Sequence, residues 1–283
     1  MNPRLLRPLA SNFHPEAQVW RNAVIANGGS VSPSTLKAVS DFCRSIDRAG
    51  IRSKFRRLNL MCGTSDASLV AVRVPLYRGE SRTGTQYGNT LDTNVNFVQG
   101  DYAENSGLTG DGSSKYLNTG FNVDQLPGAA DCHLASYIRG TQNIVSTRTL
   151  VGVLFNGITD RFRLFLNASL AATYGANGDL GKTSSASVGS RLNANGGLLL
   201  VSRTSTTSNT LYDDAVSIAT NTTLTAETTG AAPFFVFARN GPIEYYNGIM
   251  AGYSIGAGLS GAEVTSYYNA LNTFQTALGR AQT

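Results

Sequence analysis

The apolar positions of this 283-residue chain change period twice. Pro15 opens a run in which Ala17, Val19, Trp20, Ala23 and Val24 recur at spacings of three and four, and Asn27-Gly28-Gly29 ends it in a flexible turn. Ser32-Pro33 then precedes Leu36, Val39, Phe42, Cys43 and Ile46, one stripe of a second helix that Gly50 stops. Ile51, Phe55 and Leu58, interleaved with Lys54, Arg56 and Arg57, read as a short third helix or an extended arm. Beyond Gly63 the pattern shortens to the alternation of strands. Residues 70–74 read as a strand closed by Pro75, and further strands are predicted at 132–138, 149–155, 161–166, 197–203, 215–218 and 234–239. Phe162, Leu164 and Leu166 alternate with Arg163 and Phe165, as in a half-exposed strand. At the end the helical period returns. Ser260 caps and Glu263 completes a capping box before Val264, Tyr267, Tyr268, Leu271, Phe274 and Leu278. Short strands separated by Gly and Asn turns, with no long helices between them, predict a mainly β protein: a sandwich or jelly roll rather than βαβ units.

Composition agrees with many strands and turns. Glycine supplies 30 residues, and charged residues make up 14%, well below the roughly 25% typical of soluble domains. The charge that exists is divided unevenly. Residues 1–63 hold ten Lys/Arg against three Asp/Glu, whereas residues 64–283 hold thirteen against fifteen. The predicted domains follow that division: a basic helical attachment region at 1–63 and a β-sandwich with its terminal helix at 64–283. Cys43, Cys62 and Cys132 form no close metal-ligand pair and read as free thiols. No apolar run is long enough to insert into a membrane. The start, MNPRLLRPLASNFHPEA, lacks the continuous apolar stretch of a secretory signal, so an extracellular role would need another export route or release by lysis.

The stretches VWRNAVIANGGSVSPSTLKAVSDFCRSIDRAGIRSKFRRLNLMCG, YLNTGFNV, FFVFARNG and AGYSIGAGLSGAEVTSYYNALNTFQTALGR resemble, in order and spacing, a family of phage and prophage tail-associated proteins with a concanavalin-A-like, laminin-G-like sandwich. The resemblance spans roughly residues 17–280. It implies a jelly-roll sandwich with an N-terminal helical hairpin and a C-terminal helix. It also implies a structural virion protein, tail-associated or decorating a capsid, with other virion proteins as partners. Many copies, or a homo-oligomer, and a surface glycan on the host belong to the same expectation.

Candidate chemistry is sparse. His14 and His133 leave little room for histidine-based catalysis, and His133 beside Asp131 and Cys132 reads as structural or solvent-facing. No ExDxxE-like pattern of a glycosidase strand occurs, so the chain reads as a non-enzyme; a carbohydrate hydrolase built from distant acids is the alternative. Sugar hydroxyls suit amides and charges, and sugar C–H faces suit aromatic rings. The candidate ligand residues are Tyr87, Asn89, Asp101, Tyr102, Asn105, Arg239, Asn240, Tyr245 and Tyr246. No cofactor is predicted. Asp101, Glu104, Asp111 and Asp124 offer oxygen to a calcium ion, but no ligand spacing specifies one. Arg44, Arg48, Arg52, Lys54, Arg56 and Arg57 form the candidate partner surface. An acidic protein suits them better than nucleic acid, since no row of stacking aromatics accompanies the charge. A basic arm touching nucleic acid, and charges that simply solvate the outer faces of the helices, are the alternatives.

Overall fold

The computed structural model describes residues 13–140, 144–155, 160–168, 173–182, 187–192, 196–224 and 229–281, so the first twelve residues of the basic region lie outside it. Local capping signals act where the sequence places them. His14 accepts from the Glu16 amide at the start of α1 (Pro15–Ala26), and Ser32 accepts from Thr35 at the start of α2 (Pro33–Arg48). The Ser260–Glu263 capping box opens α4 (Gly261–Ala277) with both of its hydrogen bonds.

One expectation fails where side chains override propensity. Residues 70–74 are not a strand. Asp66 accepts from the amides of Ser68 and Val70, Leu69 turns left-handed at φ 53°, and a helical turn, α3 (Val70–Arg73), follows. The segment expected as a short third helix or an extended arm is a 3₁₀ turn followed by extended strand β1 (Phe55–Asn59), whose backbone pairs with the last strand of the chain.

The remaining strands are β2 (Thr93–Val95), β3 (Tyr102–Ala103), β4 (Gly107–Thr109), β5 (Tyr116–Asn122), β6 (Cys132–Arg139), β7 (Arg148–Phe155), β8 (Asp160–Asn167) and β9 (Thr173–Lys182). They continue through β10 (Ser187–Leu192), β11 (Gly197–Arg203), β12 (Asn209–Asp213), β13 (Val216–Asn221), β14 (Pro233–Val236) and β15 (Ile249–Gly256). They form two open antiparallel sheets. Sheet A runs β13-β12-β11-β6-β15-β4-β3, with β1 also paired to β15; sheet B runs β10-β9-β8-β7-β14-β5-β2. The architecture is a mainly β, jelly-roll-like sandwich flanked by helices, as the strand spacing predicts.

Alternation along each strand divides the core into two. Leu134, Ile138, Leu199, Val201, Met250 and Ile255 of sheet A meet Leu117, Phe121, Val153, Phe162, Leu164 and Leu180 of sheet B. Close approach of the sheets needs glycine at Gly178, where a Cβ would lie 2.4 Å from Val201. The opposite face of sheet A is apolar too: Ala135, Tyr137, Leu198, Leu200 and Ala251 pack with Trp20, Val39, Phe42 and Ile46 of α1 and α2 and with Tyr267, Leu271 and Phe274 of α4. The centre of sheet A is therefore buried on both faces, and β6 and β11 show no exposed alternation. The helices of residues 1–63 share this second core with the sheet and α4. His133 lies in it, fully buried, while Asp131 instead accepts from the amide of Gly258 at the surface. Among the described residues no helix is long and apolar enough to cross a membrane.

Candidate functional site

With the helices on sheet A, the outer face of sheet B is left to present side chains. The strand register aligns one row across it: Thr93, Asn118, Phe235, Gly152, Arg163 and Asp179. Gly152 has no substitute in that row, since a Cβ there would meet Thr149 at 2.6 Å and Arg163 at 3.3 Å. On β5 the outward positions Tyr116, Asn118, Gly120 and Asn122 alternate with buried Leu117, Thr119 and Phe121. Tyr116 stacks on Phe235 with ring centroids 4.6 Å apart and planes 20° apart, and Tyr245 stands 6.3 Å from Tyr116. Tyr116 and Tyr245 are both partly exposed, so the cluster presents ring surface to a ligand.

The chain leaves β14 and folds back over this face. Phe237 and Glu244 both adopt left-handed backbone, at φ 69° and 56°, and Arg239 and Ile243 exchange backbone hydrogen bonds between them. Pro233 has no N–H for the ladder, and the Asn240 carboxamide bonds both polar groups of the Leu154 backbone, at 2.5 and 2.8 Å. This excursion carries Glu244 to the middle of the row, where Oε2 accepts from Thr149 Oγ1 at 2.7 Å and from Arg163 Nη1 at 2.8 Å. Asp179 Oδ2 accepts from the other side of Arg163 at 2.9 Å and forms an ion pair with Arg161 at 3.0 Å. Arg239 reaches Glu244 at 3.5 Å. The result is an alternating chain, Arg161–Asp179–Arg163–Glu244–Arg239, with the Arg163 guanidinium lying 3.8 Å over the Phe165 ring.

The two carboxyls differ. Burial raises Asp179 above its ordinary range despite its arginines. Burial also pushes Glu244 upward, but the Thr149 hydrogen bond and the charges of Arg163 and Arg239 prevail and lower it. Opposed shifts are what an acid–base pair requires, yet Asp179 is wholly buried and arginines hold one oxygen of each carboxylate. The arrangement suits recognition rather than proton delivery to a bulky substrate.

Of the expected ligand residues, Arg239, Asn240 and Tyr245 meet on this face. Asn89 borders it, donating to Thr93 Oγ1 and the Asn118 carbonyl. Tyr87 packs edge-on against Phe121. Tyr102 and Tyr246 are corrections: both are buried, Tyr102 donating to the Gly63 carbonyl and Tyr246 packing against Phe237. Asp101 pairs with Lys115, and the Asn105 carbonyl accepts from Arg139.

The calcium expectation finds no converging ligands among the described residues. Asp111 is occupied by the amides of Ser113, Ser114 and Lys115, Glu104 by Thr35 and Gly63, and Asp124 is exposed. His14, Glu16 and Cys43 do lie within 4.8 Å of one another. Their atoms are already engaged: His14 with the Glu16 amide and Asp47, and Glu16 with Arg52. Burial pushes the Cys43 thiol up to about 12.

The basic set is mostly paired with acids of the chain itself. Arg44 pairs with Asp41, Arg52 with Glu16, Lys54 with Glu263 and Arg56 with Glu80. Arg57 is wholly buried against Asp92, which removes it from any partner surface; Arg48 is exposed at the end of α2.

Sequence reasoning passed over Arg161, Asp179, Tyr116 and Phe235 as site residues. The alternation in β8 puts Arg161 and Arg163 on one face, but nothing local pairs them with Asp179 or Glu244. No family model matches the chain, and no curated protein matches it. Among solved structures, the Trypanosoma rangeli sialidase is similar over 82% of this chain and 39% of its own, with 11% identity and a TM-score of 0.51. The binding domain of botulinum neurotoxin serotype D is similar over 78% of this chain and 52% of its own, with 9% identity and a TM-score of 0.50. This chain thus spans about half or less of either protein, and at such identities the likeness is one of fold: a lectin-like sandwich.

Proposed function

We propose that this chain is a non-catalytic carbohydrate-binding module carried in many copies by a virion, binding host-surface glycan through the outer face of sheet B. The observation that carries the sugar reading is the Tyr116–Phe235–Tyr245 cluster beside Asn118 and the arginine–carboxylate chain, all on one face. Aromatic rings take the C–H faces of sugars, and bordering amides and charges take the hydroxyls. The virion setting is supported by the order of the sequence segments that resemble phage tail-associated proteins. The helical layer on the far side of sheet A provides a surface for attachment to other virion proteins.

Binding of the full chain to a glycan panel tests the sugar reading. Tyr116→Ala and Tyr245→Ala should each weaken the best ligand about tenfold, the scale of one lost stacking contact of about 1.5 kcal/mol. Unchanged binding in both variants, or a panel with no ligand at all, would sink it. Immunodetection of the chain in purified particles tests the setting, and absence from every particle would refute it.

A further inference from the structure

We propose that this face recognises a neutral sugar through two adjacent hydroxyls of one ring, the first donating to Glu244 Oε1 and the second accepting from the Arg239 guanidinium. The inference rests on the carbohydrate reading of the same face and names its ligand class. The contacts of Glu244 all fall on one oxygen. Oε2 accepts from Thr149 Oγ1 at 2.7 Å and from Arg163 Nη1 at 2.8 Å, and Arg239 approaches the same atom at 3.5 Å. Oε1 makes no hydrogen bond among the described residues, and the Glu244 side chain is 20% exposed.

Arg239 is the complementary half. Its side chain is 13% exposed, Glu244 is its one ion-pair partner among the described residues, and its Nε makes no hydrogen bond there. An acceptor and a donor thus stand side by side with capacity left over. A hydroxyl both donates and accepts. Two on neighbouring ring carbons offer an O–H to the carboxylate and a lone pair to the guanidinium at once. A ligand carboxylate would meet the charge of Glu244, and a ligand ammonium that of Arg239, so the pair favours a neutral group. Burial pushes Glu244 upward, but the Thr149 hydrogen bond and the charges of Arg163 and Arg239 prevail and keep it ionised at neutral pH. Its bond to a hydroxyl is then charge-assisted.

The aromatic rings are within reach of the same sugar. The Thr149 side chain, which holds the carboxylate, sits over Gly152, and Gly152 pairs with Phe235 on the neighbouring strand, about 5 Å away at ordinary strand spacing. Tyr245 follows Glu244 in sequence and bridges to Thr149. One sugar ring can therefore lay its C–H face on Tyr245 and turn the edge with its hydroxyls toward Glu244 and Arg239.

The test titrates the full chain with neutral methyl glycosides and short neutral oligosaccharides, then with each monodeoxy form of the best binder. Deoxygenation at two neighbouring carbons should weaken binding about tenfold each, and elsewhere little. Glu244→Gln and Arg239→Gln should each weaken the parent sugar about tenfold. Each should also become indifferent to deoxygenation at one of the two carbons, a different one for each variant, which a general loss of structure would not produce. Thermal unfolding establishes that the variants are folded, and Arg239→Gln carries the test alone if Glu244→Gln is not. Binding that is lost in Tyr245→Ala but kept in folded Arg239→Gln, with no neighbouring pair of sensitive carbons, overturns the hydroxyl-pair proposal and leaves the carbohydrate reading standing. A best ligand that is a sugar acid and loses its binding on amidation does the same. Binding to no saccharide, neutral or acidic, overturns both.

Discussion

His133, buried, and Asp213, half-buried, are titratable residues whose environments pull stability in opposite directions as pH falls. The His133 ring donates from Nδ1 to the Ala257 carbonyl at 2.6 Å, leaving Nε2 to accept from Ser254 at 2.9 Å, with Phe55 edge-on at 5.7 Å. Burial holds it near 4, against an ordinary 6.5. Between those values the unfolded chain binds the proton and the native state does not, so stability is lost as pH falls, by about 3 kcal/mol in total. Asp213 is raised to about 6, above its ordinary 3.8, by burial, a shift that Arg191 opposes and Asp214 reinforces. Here the native state binds the proton first, so stability is gained as pH falls from about 6 to 3.8. Chemical denaturation at a series of pH values should show His133→Gln flattening or reversing the acid loss, and Asp213→Asn steepening it. Identical slopes in wild type and both variants would show that neither group titrates differently on folding. Only the histidine half of this was legible in the sequence. A structural reading of His133 follows from its place in an apolar strand, whereas the Asp213 shift comes from burial that only the packed sheets create, with Arg191 reaching it at 2.7 Å from the other sheet.

The helices and sheet A are joined at the level of elements, not merely adjacent. Trp20, the one tryptophan, is 3% exposed in α1 and donates to the Val74 carbonyl at 3.1 Å. The second core to which it belongs also holds Tyr137 and Leu200 of sheet A and Phe274 of α4. Arg280, just beyond α4, is buried and bonds the carbonyls of Leu60, Met61, Glu104 and Ala251, tying the chain's end to the segment after β1. Tryptophan emission, which reports α1, should therefore unfold together with far-ultraviolet dichroism, which reports the sheets. An earlier tryptophan transition would make residues 1–63 a separately stable unit. The same elements show what sequence pattern can and cannot carry. Helices α1, α2 and α4 were legible because their caps and stripes lie within a few residues of one another. Strand β1 read as a helix or arm because Arg56 and Arg57 look like solvent-facing charges. Arg57 is instead buried, held by Asp92, Tyr253 and the carbonyls of Tyr87 and Asn89, partners from 30 to 196 positions away. Strand β9, TYGANGDLGK, went unread because its glycines mimic a loop; Gly178 is there to admit Val201 from the facing sheet. The site divides the same way. Arg239, Asn240 and Tyr245 fall in one short stretch, while Arg161, Asp179 and Tyr116 join them only through strand register.

For the whole molecule, the three-layer order fixes which way a multivalent assembly must face. Helices α2 and α4 cover one side of the sandwich, and the aromatic cluster with its arginines occupies the other. Copies attached through the helical side would all present the face proposed to bind sugar, and weak single contacts would then add through effective concentration. The chain's own cysteines permit a direct test. Cys43, Cys62 and Cys132 are all buried, and burial raises each thiol, Cys43 and Cys62 to about 12, so a thiol reagent at neutral pH should spare them. Arg48→Cys offers an exposed thiol at the end of α2, and Ile243→Cys, at a position 44% exposed, offers one beside Glu244. Each can be biotinylated and assembled on tetrameric streptavidin. Tethering at residue 48 should raise apparent affinity for a glycan-coated surface by about a hundredfold or more over the single chain. Tethering at residue 243 should yield little gain, because the linker crosses the binding face. Equal gains from both tethers would place the glycan contact somewhere other than the outer face of sheet B, and a larger gain from residue 243 would place it on the helical side.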